Sequence, residues 1–228
     1  MRLRVEYRVG PELRFLANLD MLHTMERALR RARVPYALSE GFNPHIKLSL
    51  GTVLPVGLWG EHEYFDVELK TEMAGEEFIE KFNPVLPNGL SVLQAVNIPP
   101  SAPSLMSIVN AACYAFKVQK VDEAILNEVK MLMNKPELVV ASRGKKKNRT
   151  KDLRPGLYKI TMMTDNQFDI IKMWVSTGEP VNVRFDELTE LFATCGITAE
   201  QMVDVWRSGN FCRIKEQFYT PIEQVKLL

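Results

Sequence analysis

Cysteine is scarce in this chain, net charge is almost absent, and the longest uncharged run is broken by prolines. Each shortage excludes something. The 228 residues hold 3 cysteines, at positions 113, 195 and 212. An odd, widely spaced set does not make a secreted disulfide framework and points to a reducing, cytoplasmic setting. Without a Cys-x-x-Cys pair, zinc and iron–sulfur sites have no support, so no metal or cofactor is expected. Neither Gly-x-x-x-x-Gly-Lys-Ser/Thr, Gly-x-Gly-x-x-Gly nor Gly-x-Ser-x-Gly occurs, which removes the common phosphate loops and the nucleophile elbow. The 29 Lys+Arg and 28 Asp+Glu leave a net charge of +1, so any charged site must be local. The N-terminus Met1-Arg2-Leu3-Arg4-Val5-Glu6 is no signal peptide. The longest uncharged stretch, Phe82 to Phe116, contains Pro84, Pro87, Pro99, Pro100 and Pro103, so no membrane association is expected.

What is present has the proportions of a globular protein, 46% hydrophobic and 25% charged. Ile98-Pro99-Pro100-Ser101-Ala102-Pro103-Ser104 interrupts both helix and strand and divides the chain into parts that read alike, 1–98 and 105–228. In the first, Leu3, Val5, Tyr7 and Val9 alternate with charged residues, as in a half-buried strand. A helix comes next with Asp20 as N-cap; Met25, Ala28 and Leu29 lie on one face, and His23, Arg27, Arg30 and Arg31 on the other. Strands around Ile46–Leu50 and Tyr64–Leu69, a helix through Phe78 and Phe82, and a strand over 90–98 complete a β-α-β-β-α-β order. The second part repeats it. Asp186 is expected to cap a helix that Gly196 stops, Thr198-Ala199-Glu200-Gln201 to open a further helix through Trp206, and 211–219 to form the last strand. The fold expected is α+β, two tandem ferredoxin-like domains.

Two segments carry candidate chemistry. Residues 143–154 hold seven cations (Arg143, Lys145, Lys146, Lys147, Arg149, Lys151 and Arg154) against Asp152, a local charge of +6 that leaves −5 elsewhere. That is a footprint for nucleic-acid phosphate; the alternative is a solvated loop that keeps a sheet edge soluble. Mutual repulsion makes this loop an expected mobile segment. The second segment, Ser39-Glu40-Gly41-Phe42-Asn43-Pro44-His45-Ile46-Lys47, reads partly as a plain turn. A turn alone does not account for His45 and Lys47 beside an aromatic, so Asn43, His45 and Lys47 are candidates for a ligand pocket converging on Arg14 and Asp20. His45 is the one candidate acid or base, although a lone histidine is more often structural.

Arg14-Phe15-Leu16-Ala17-Asn18-Leu19-Asp20, Glu26-Arg27-Ala28-Leu29-Arg30-Arg31-Ala32, Pro35 through His45, Leu54-Pro55-Val56-Gly57, Glu63 through Leu69 and Asp152-Leu153-Arg154-Pro155 resemble one bacterial family of unknown function linked to radical-SAM proteins. The chain departs from it at Ala17-Asn18, where the family commonly has Ser-His, and at His23. The resemblance implies an RNA-binding accessory role, with a radical-SAM protein as partner, in RNA or ribosome modification. The alternatives are an RNA nuclease or transferase using His45, and a protein–protein adaptor without RNA contact. Tandem ferredoxin-like domains are also similar to those of CRISPR RNA-cutting endonucleases, an analogy of fold alone.

Overall fold

The structure is a computed structural model and describes residues 1–142 and 149–226. It is a mixed α+β protein built on antiparallel sheet, and it divides into two compact units: Met1–Val109 with Gly209–Leu228, and Asn110–Ser208. Among the described residues no helix is long and apolar enough to cross a membrane.

The first unit runs β1 (Arg2–Val9), α1 (Asn18–Arg31), β2 (Leu48–Leu50), β3 (Trp59–Glu68), α2 (Gly75–Phe82), β4 (Leu90–Ile98) and a short α3 (Leu105–Ile108). β1 pairs with β3 on one side and β4 on the other, and β2 pairs with β3, every pairing antiparallel. Leu3, Val5, Tyr7 and Val9 bury one face of β1 against α1 and α2. On α1 the buried set is Met21, Met25, Ala28 and Leu29, the i, i+4, i+7, i+8 stripe that a helix places over a sheet. Its N-cap is Ala17, not Asp20, which instead sets its charge in the first turn where the helix dipole favours an anion. Phe78 and Phe82 of α2 stack at 4.9 Å and lie 6.4 and 6.3 Å from Phe65 of β3. Gly75 begins α2 because a Cβ there would stand 1.9 Å from the carbonyl oxygen of Ala95.

The other face of this sheet is covered as well. Tyr64, Leu105 and Ile222 form a second small core with Val96 beside it. Arg4, whose alternation reads in sequence as the wet side of a half-buried strand, is 0% exposed. The proline segment is no free linker: the carbonyls of Ala102 and Pro103 accept bonds from Arg2 and Arg4. The first unit therefore continues past 98 to Val109.

The second unit comprises β5 (Ala111–Gln119), α4 (Glu123–Met131), β6 (Val139–Ala141), β7 (Thr150–Asp152), β8 (Leu157–Thr164), β9 (Phe168–Ser176) and α5 (Phe185–Thr194). β9 pairs antiparallel with both β5 and β8. Ala111 through Phe116 are all buried, and Phe116 meets Phe192 of α5 edge-on at 4.7 Å. The N-cap of α5 is Arg184 rather than Asp186. Gly196, at φ +93°, ends the helix as expected, with the Ile197 amide bonded back to the Phe192 carbonyl at 3.0 Å.

β10 (Met202–Ile214) begins in the second unit and continues into the first. The capping signal at Thr198 exists, with its amide bonded to Gln201 Oε1 at 2.8 Å, but it closes a single 3-10 turn. Met202, Val205 and Trp206 then belong to a strand, because branched and aromatic residues leading to Gly209 favour extended backbone over helix. The expected strand over 211–219 is a hairpin: β10 turns at Lys215 and Glu216, both at positive φ, into β11 (Gln217–Tyr219). The chain then enters α6 (Pro221–Val225), closed by reciprocal bonds between Thr220 and Glu223.

Candidate functional site: a groove beside the Ser39–His45 loop

β1 and β3 run antiparallel with Arg4 opposite Asp66 and Arg2 opposite Glu68. Alternate residues share a face, so two arginines confront two carboxylates. Asp66 accepts from Arg2 Nη2 at 2.6 Å, Arg4 Nε at 2.9 Å and Arg4 Nη2 at 3.1 Å. Two guanidiniums against one carboxylate leave a surplus positive charge. The carbonyls of Ala102, Pro103 and Pro221 take it up at 2.8, 2.8 and 3.2 Å. Arg4 is sealed at 0% side-chain exposure, whereas Arg2 keeps 16% and opens onto a groove.

That groove has a volume of about 270 Å³ and is lined by Arg2, His45, Lys47, Ser49, Asp66, Glu68 and Ser104 among others. β2 supplies Ser49 through its pairing with β3. The His45 end is fixed by its own loop. Leu38 bridges Ile46, the Ser39 amide bonds the His45 carbonyl at 2.8 Å, and Ser39 Oγ accepts from the His45 amide at 3.0 Å. The same hydroxyl lies 2.8 Å from His45 Nδ1. With one hydrogen and two lone pairs, this hydroxyl can accept from the amide and either donate to Nδ1 or accept from it. Lys47 Nζ is 3.2 Å from Glu68 in a half-open pair. Each cation is thus matched by a carboxylate of the same lining, Arg2 by Asp66 and Lys47 by Glu68, and the concavity gathers two ion pairs, an imidazole and two hydroxyls without a surplus charge of either sign.

The expected pocket is only partly assembled. His45 and Lys47 line the groove; Arg14, Asp20 and Asn43 do not. Arg14 Nε bonds the Pro11 carbonyl at 3.0 Å and its own carbonyl accepts from Gly57 at 2.7 Å, so it braces two family-like segments against each other. Asp20 and Asn43 are exposed. Sequence reasoning missed Arg2, Ser49, Asp66, Glu68 and Ser104. The Arg-x-Arg of one strand and the Asp-x-Glu of another are the readable signal, but only once the pairing register is known.

Of the basic run, Arg143, Lys145, Lys146 and Lys147 lie outside the described residues. Arg149 is exposed and its carbonyl closes the β6–β7 hairpin on the Ser142 amide at 2.8 Å. Lys151 and Arg154 are engaged internally. Lys151 Nζ sits 2.6 and 2.8 Å from the oxygens of Glu187, a fully buried carboxylate that also receives the Arg184 amide at 3.0 Å. Arg154 reaches the carbonyls of Leu157 and Met133 at 3.0 and 2.8 Å. Asp152 Oδ1 ties down the amides of Leu138 and Arg154. Within the loop expected to be mobile, Lys151, Asp152 and Arg154 are thus bonded to groups of their own unit.

A second polar pair lies on the same strands. His62 Nδ1 is 2.5 Å from Glu6 Oε1, and that bond, against the opposing effect of partial burial, raises the imidazole above its ordinary pKa. Tyr64 nearby is pushed well up, first by burial and then by the negative charges of Glu6 and Glu63. Asn210 joins this region by donating to the His62 carbonyl and to Glu63 Oε2, both at 3.2 Å, while Thr52 donates to its side-chain oxygen at 2.7 Å. Among the described residues no His, Cys, Asp and Glu cluster has the grouping of a metal site.

A family model described as an uncharacterized protein conserved in bacteria, DUF2344, matches residues 2–185. The chain belongs to this family. None of the curated proteins matches. Among solved structures, a Cbf5-Nop10-Gar1 complex overlaps with 12% identity, 97% of this chain, 54% of that chain and a TM-score of 0.49. An H/ACA RNP bound to a substrate RNA containing 2'-deoxyuridine gives 13% identity, 89% and 46% coverage and 0.44. An unknown protein from Galdieria sulphuraria gives 11%, 85% and 90%, and 0.23. The chain spans about half the length of the first two. Overlaps this loose leave the fold of the DUF2344 chain resting on its own strand pairings.

Proposed function

We propose that this DUF2344 protein is an RNA-binding accessory protein that presents RNA to a separate radical-SAM enzyme. One observation carries the RNA reading: a chain of net charge +1 gathers +6 into residues 143–154, and with Lys151 and Arg154 engaged internally the sequence still supplies five cations, Arg143, Lys145, Lys146, Lys147 and Arg149, the last of them exposed beside β7. Charge concentrated against the trend of the whole chain attracts phosphate locally without making the protein a general polycation. The radical-SAM partner rests on the family resemblance alone. The fold reading behind it, tandem ferredoxin-like units, is supported in the first unit by the antiparallel pairings β4–β1, β1–β3 and β3–β2, with α1 and α2 as the helical connections. The second unit offers the same succession, β5, α4, β8, β9, α5 and the start of β10, with the β6–β7 hairpin inserted.

The test is the salt dependence of binding to single-stranded RNA. Each neutralised phosphate contributes a slope of about −0.7 in log K against log salt. Replacing Lys145, Lys146, Lys147 and Arg149 with alanine is expected to flatten the slope by up to about 3 units and to weaken unrelated sequences alike. Lys151→Ala is left out of the set because that cation already faces Glu187. An unchanged slope in the fourfold variant rejects the basic run as a phosphate contact.

A further inference from the structure

Met21, Met25, Ala28 and Leu29 make the buried stripe of α1, and the same spacing moved on by two residues gives His23, Arg27, Arg30 and Arg31. Two residues turn a helix by about 200°, so this second stripe points away from the sheet. All four of its residues are exposed, and so is Arg33, just past the C-cap Ala32. Four arginines against Glu26 give residues 23–33 a local charge of +3. With the +6 of residues 143–154, two short segments hold +9 in a chain of net charge +1.

Unlike Lys151 or the cations of the groove, these arginines are not neutralised. Arg30 has a carboxylate near it, Glu26 at 3.6 Å, and still keeps 51% side-chain exposure. Arg27 bonds a hydroxyl, Thr24 Oγ1 at 3.3 Å, and Arg31 a carbonyl, that of Val85 at 2.8 Å. Among the described residues no carboxylate stands within 4.0 Å of Arg27, Arg31 or Arg33. Glu77 of α2 is already held by Lys81 at 2.6 Å.

The helix dipole explains part of this stripe. It favours cations in the last turn, which covers Arg30 and Arg31 but not Arg27, a turn earlier. Arg33 is harder to explain by folding, because its φ of +53° is left-handed. That position closes the helix, with the Val34 amide bonded back to the Leu29 carbonyl at 3.2 Å, and glycine is its usual occupant. An arginine there keeps its charge against a conformational cost.

Guanidiniums hold phosphate through paired N–H donors and displace its counterions. Residues 23–33 contain no Phe, Tyr or Trp, so a base finds no ring to stack on and the contact is with backbone. We propose that the outer face of α1, through Arg27, Arg31 and Arg33, is a second phosphate-binding surface for RNA that reads backbone and not sequence. This rests on the RNA-binding reading, but on residues other than the basic run. Arg30, shared with Glu26, contributes less.

The test is the salt dependence of fluorescence anisotropy for two labelled single-stranded RNAs of unrelated sequence. The proteins are wild type, Arg33→Gly, Arg27→Gln/Arg33→Gly, that pair with Arg31→Gln added, and Arg30→Gln. The double variant leaves the Arg31–Val85 bond in place. Each lost contact is expected to flatten log K against log salt by about 0.7, so the double variant loses about 1.4 and the triple about 2.1. Both RNAs are expected to weaken alike, and Arg30→Gln to change the slope by less than one contact. Arg33→Gly alone is expected to lose about 0.7 while its urea midpoint stays at or above that of wild type, since glycine suits this backbone. A lowered midpoint with an unchanged slope would instead make Arg33 a residue of the fold and remove it from the surface. An unchanged slope in the double and triple variants, with wild type binding both RNAs, overturns the surface and leaves the basic run as the RNA contact. Weakening of one RNA and not the other overturns recognition of backbone alone. Wild type that binds neither RNA at low salt overturns both readings. A protein that copurifies with wild type and is lost from the triple variant, with the RNA slope unchanged, assigns this face to protein docking instead.

Discussion

The basic run and the Ser39–Lys47 segment look alike in sequence, each a polar connector rich in candidate contacts, yet the structure turns Lys151 and Arg154 of the first and His45 and Lys47 of the second in opposite directions. Lys151 and Arg154 point inward, to buried Glu187 and to the Leu157 and Met133 carbonyls. His45 is exposed, and Lys47 pairs at the surface with a carboxylate that is itself half open. Charge in a sequence motif is thus no guide to direction. What decides it is whether a buried group of opposite sign or a stranded carbonyl waits within reach, because such a group is costly to leave without a partner. Asp152-Leu153-Arg154-Pro155, one of the family-like motifs, is by this measure a structural lock. Phe42 through His45, another, is held out by bonds made elsewhere in its loop.

The contrast between inward and outward charges is sharpest where it is broken. Asp66→Ala removes the carboxylate shared by Arg2 and Arg4 and leaves a fully buried guanidinium without its counter-charge. Breaking a buried pair from one side costs about 3–5 kcal/mol, so this variant is expected to show the largest stability loss in urea unfolding. A loss below about 1 kcal/mol would mean that the Ala102, Pro103 and Pro221 carbonyls alone satisfy both arginines.

Lys151→Met comes next. It leaves Glu187 buried with the Arg184 amide still in place, so part of the carboxylate's solvation survives. The expected loss is about 2–3 kcal/mol, measured the same way. RNA affinity corrected for the folded fraction is expected to stay unchanged. A variant that folds like wild type but loses a unit of salt slope would return Lys151 to the phosphate-binding set.

Much of the first unit is legible because its signals are local. Leu3, Val5, Tyr7 and Val9 alternate, α1 carries one apolar stripe, and α2 stops at Asn83-Pro84. The departures from expectation share a different cause. Thr198 and Gln201 form the capping bonds their spacing promises, but propagation of a helix is decided downstream, where Val203, Val205 and Trp206 favour a strand. The β10–β11 turn is hidden in the sequence because Lys215 and Glu216 adopt the positive φ values usually given to Asn-Gly. Arg4 reads as a wet residue since nothing in a single strand tells which distant segment will cover it; α3 and α6 do so from positions near 105 and 222. The groove is half legible for the same reason. His45 and Lys47 are local to one loop, whereas Arg2, Asp66 and Ser104 arrive only through strand register and the folded-back proline segment.

The smallest expected effect separates an outward pair from the buried ones by its response to pH. His62 and Glu6 form a close contact, but the histidine side chain is 49% exposed, so solvent screens the pair and its worth is expected to stay under about 1 kcal/mol. The sign comes from the direction of the shift. Folding raises the imidazole above its ordinary value of 6.5, so the folded state holds its proton more tightly than the unfolded chain does. The stabilisation is therefore complete below that ordinary value and disappears as pH rises through the folded one. His62→Gln is expected to be less stable than wild type in mildly acidic buffer and to converge with it on the alkaline side. Chemical unfolding of both proteins across that window reads the difference directly. The Arg4–Asp66 pair contains no imidazole, and the deficit of Asp66→Ala is expected to stay constant over the same range. A His62→Gln deficit that is equally constant would show that the imidazole acts by packing alone, and one that grows with pH would mean that the Glu6 contact does not involve the protonated ring.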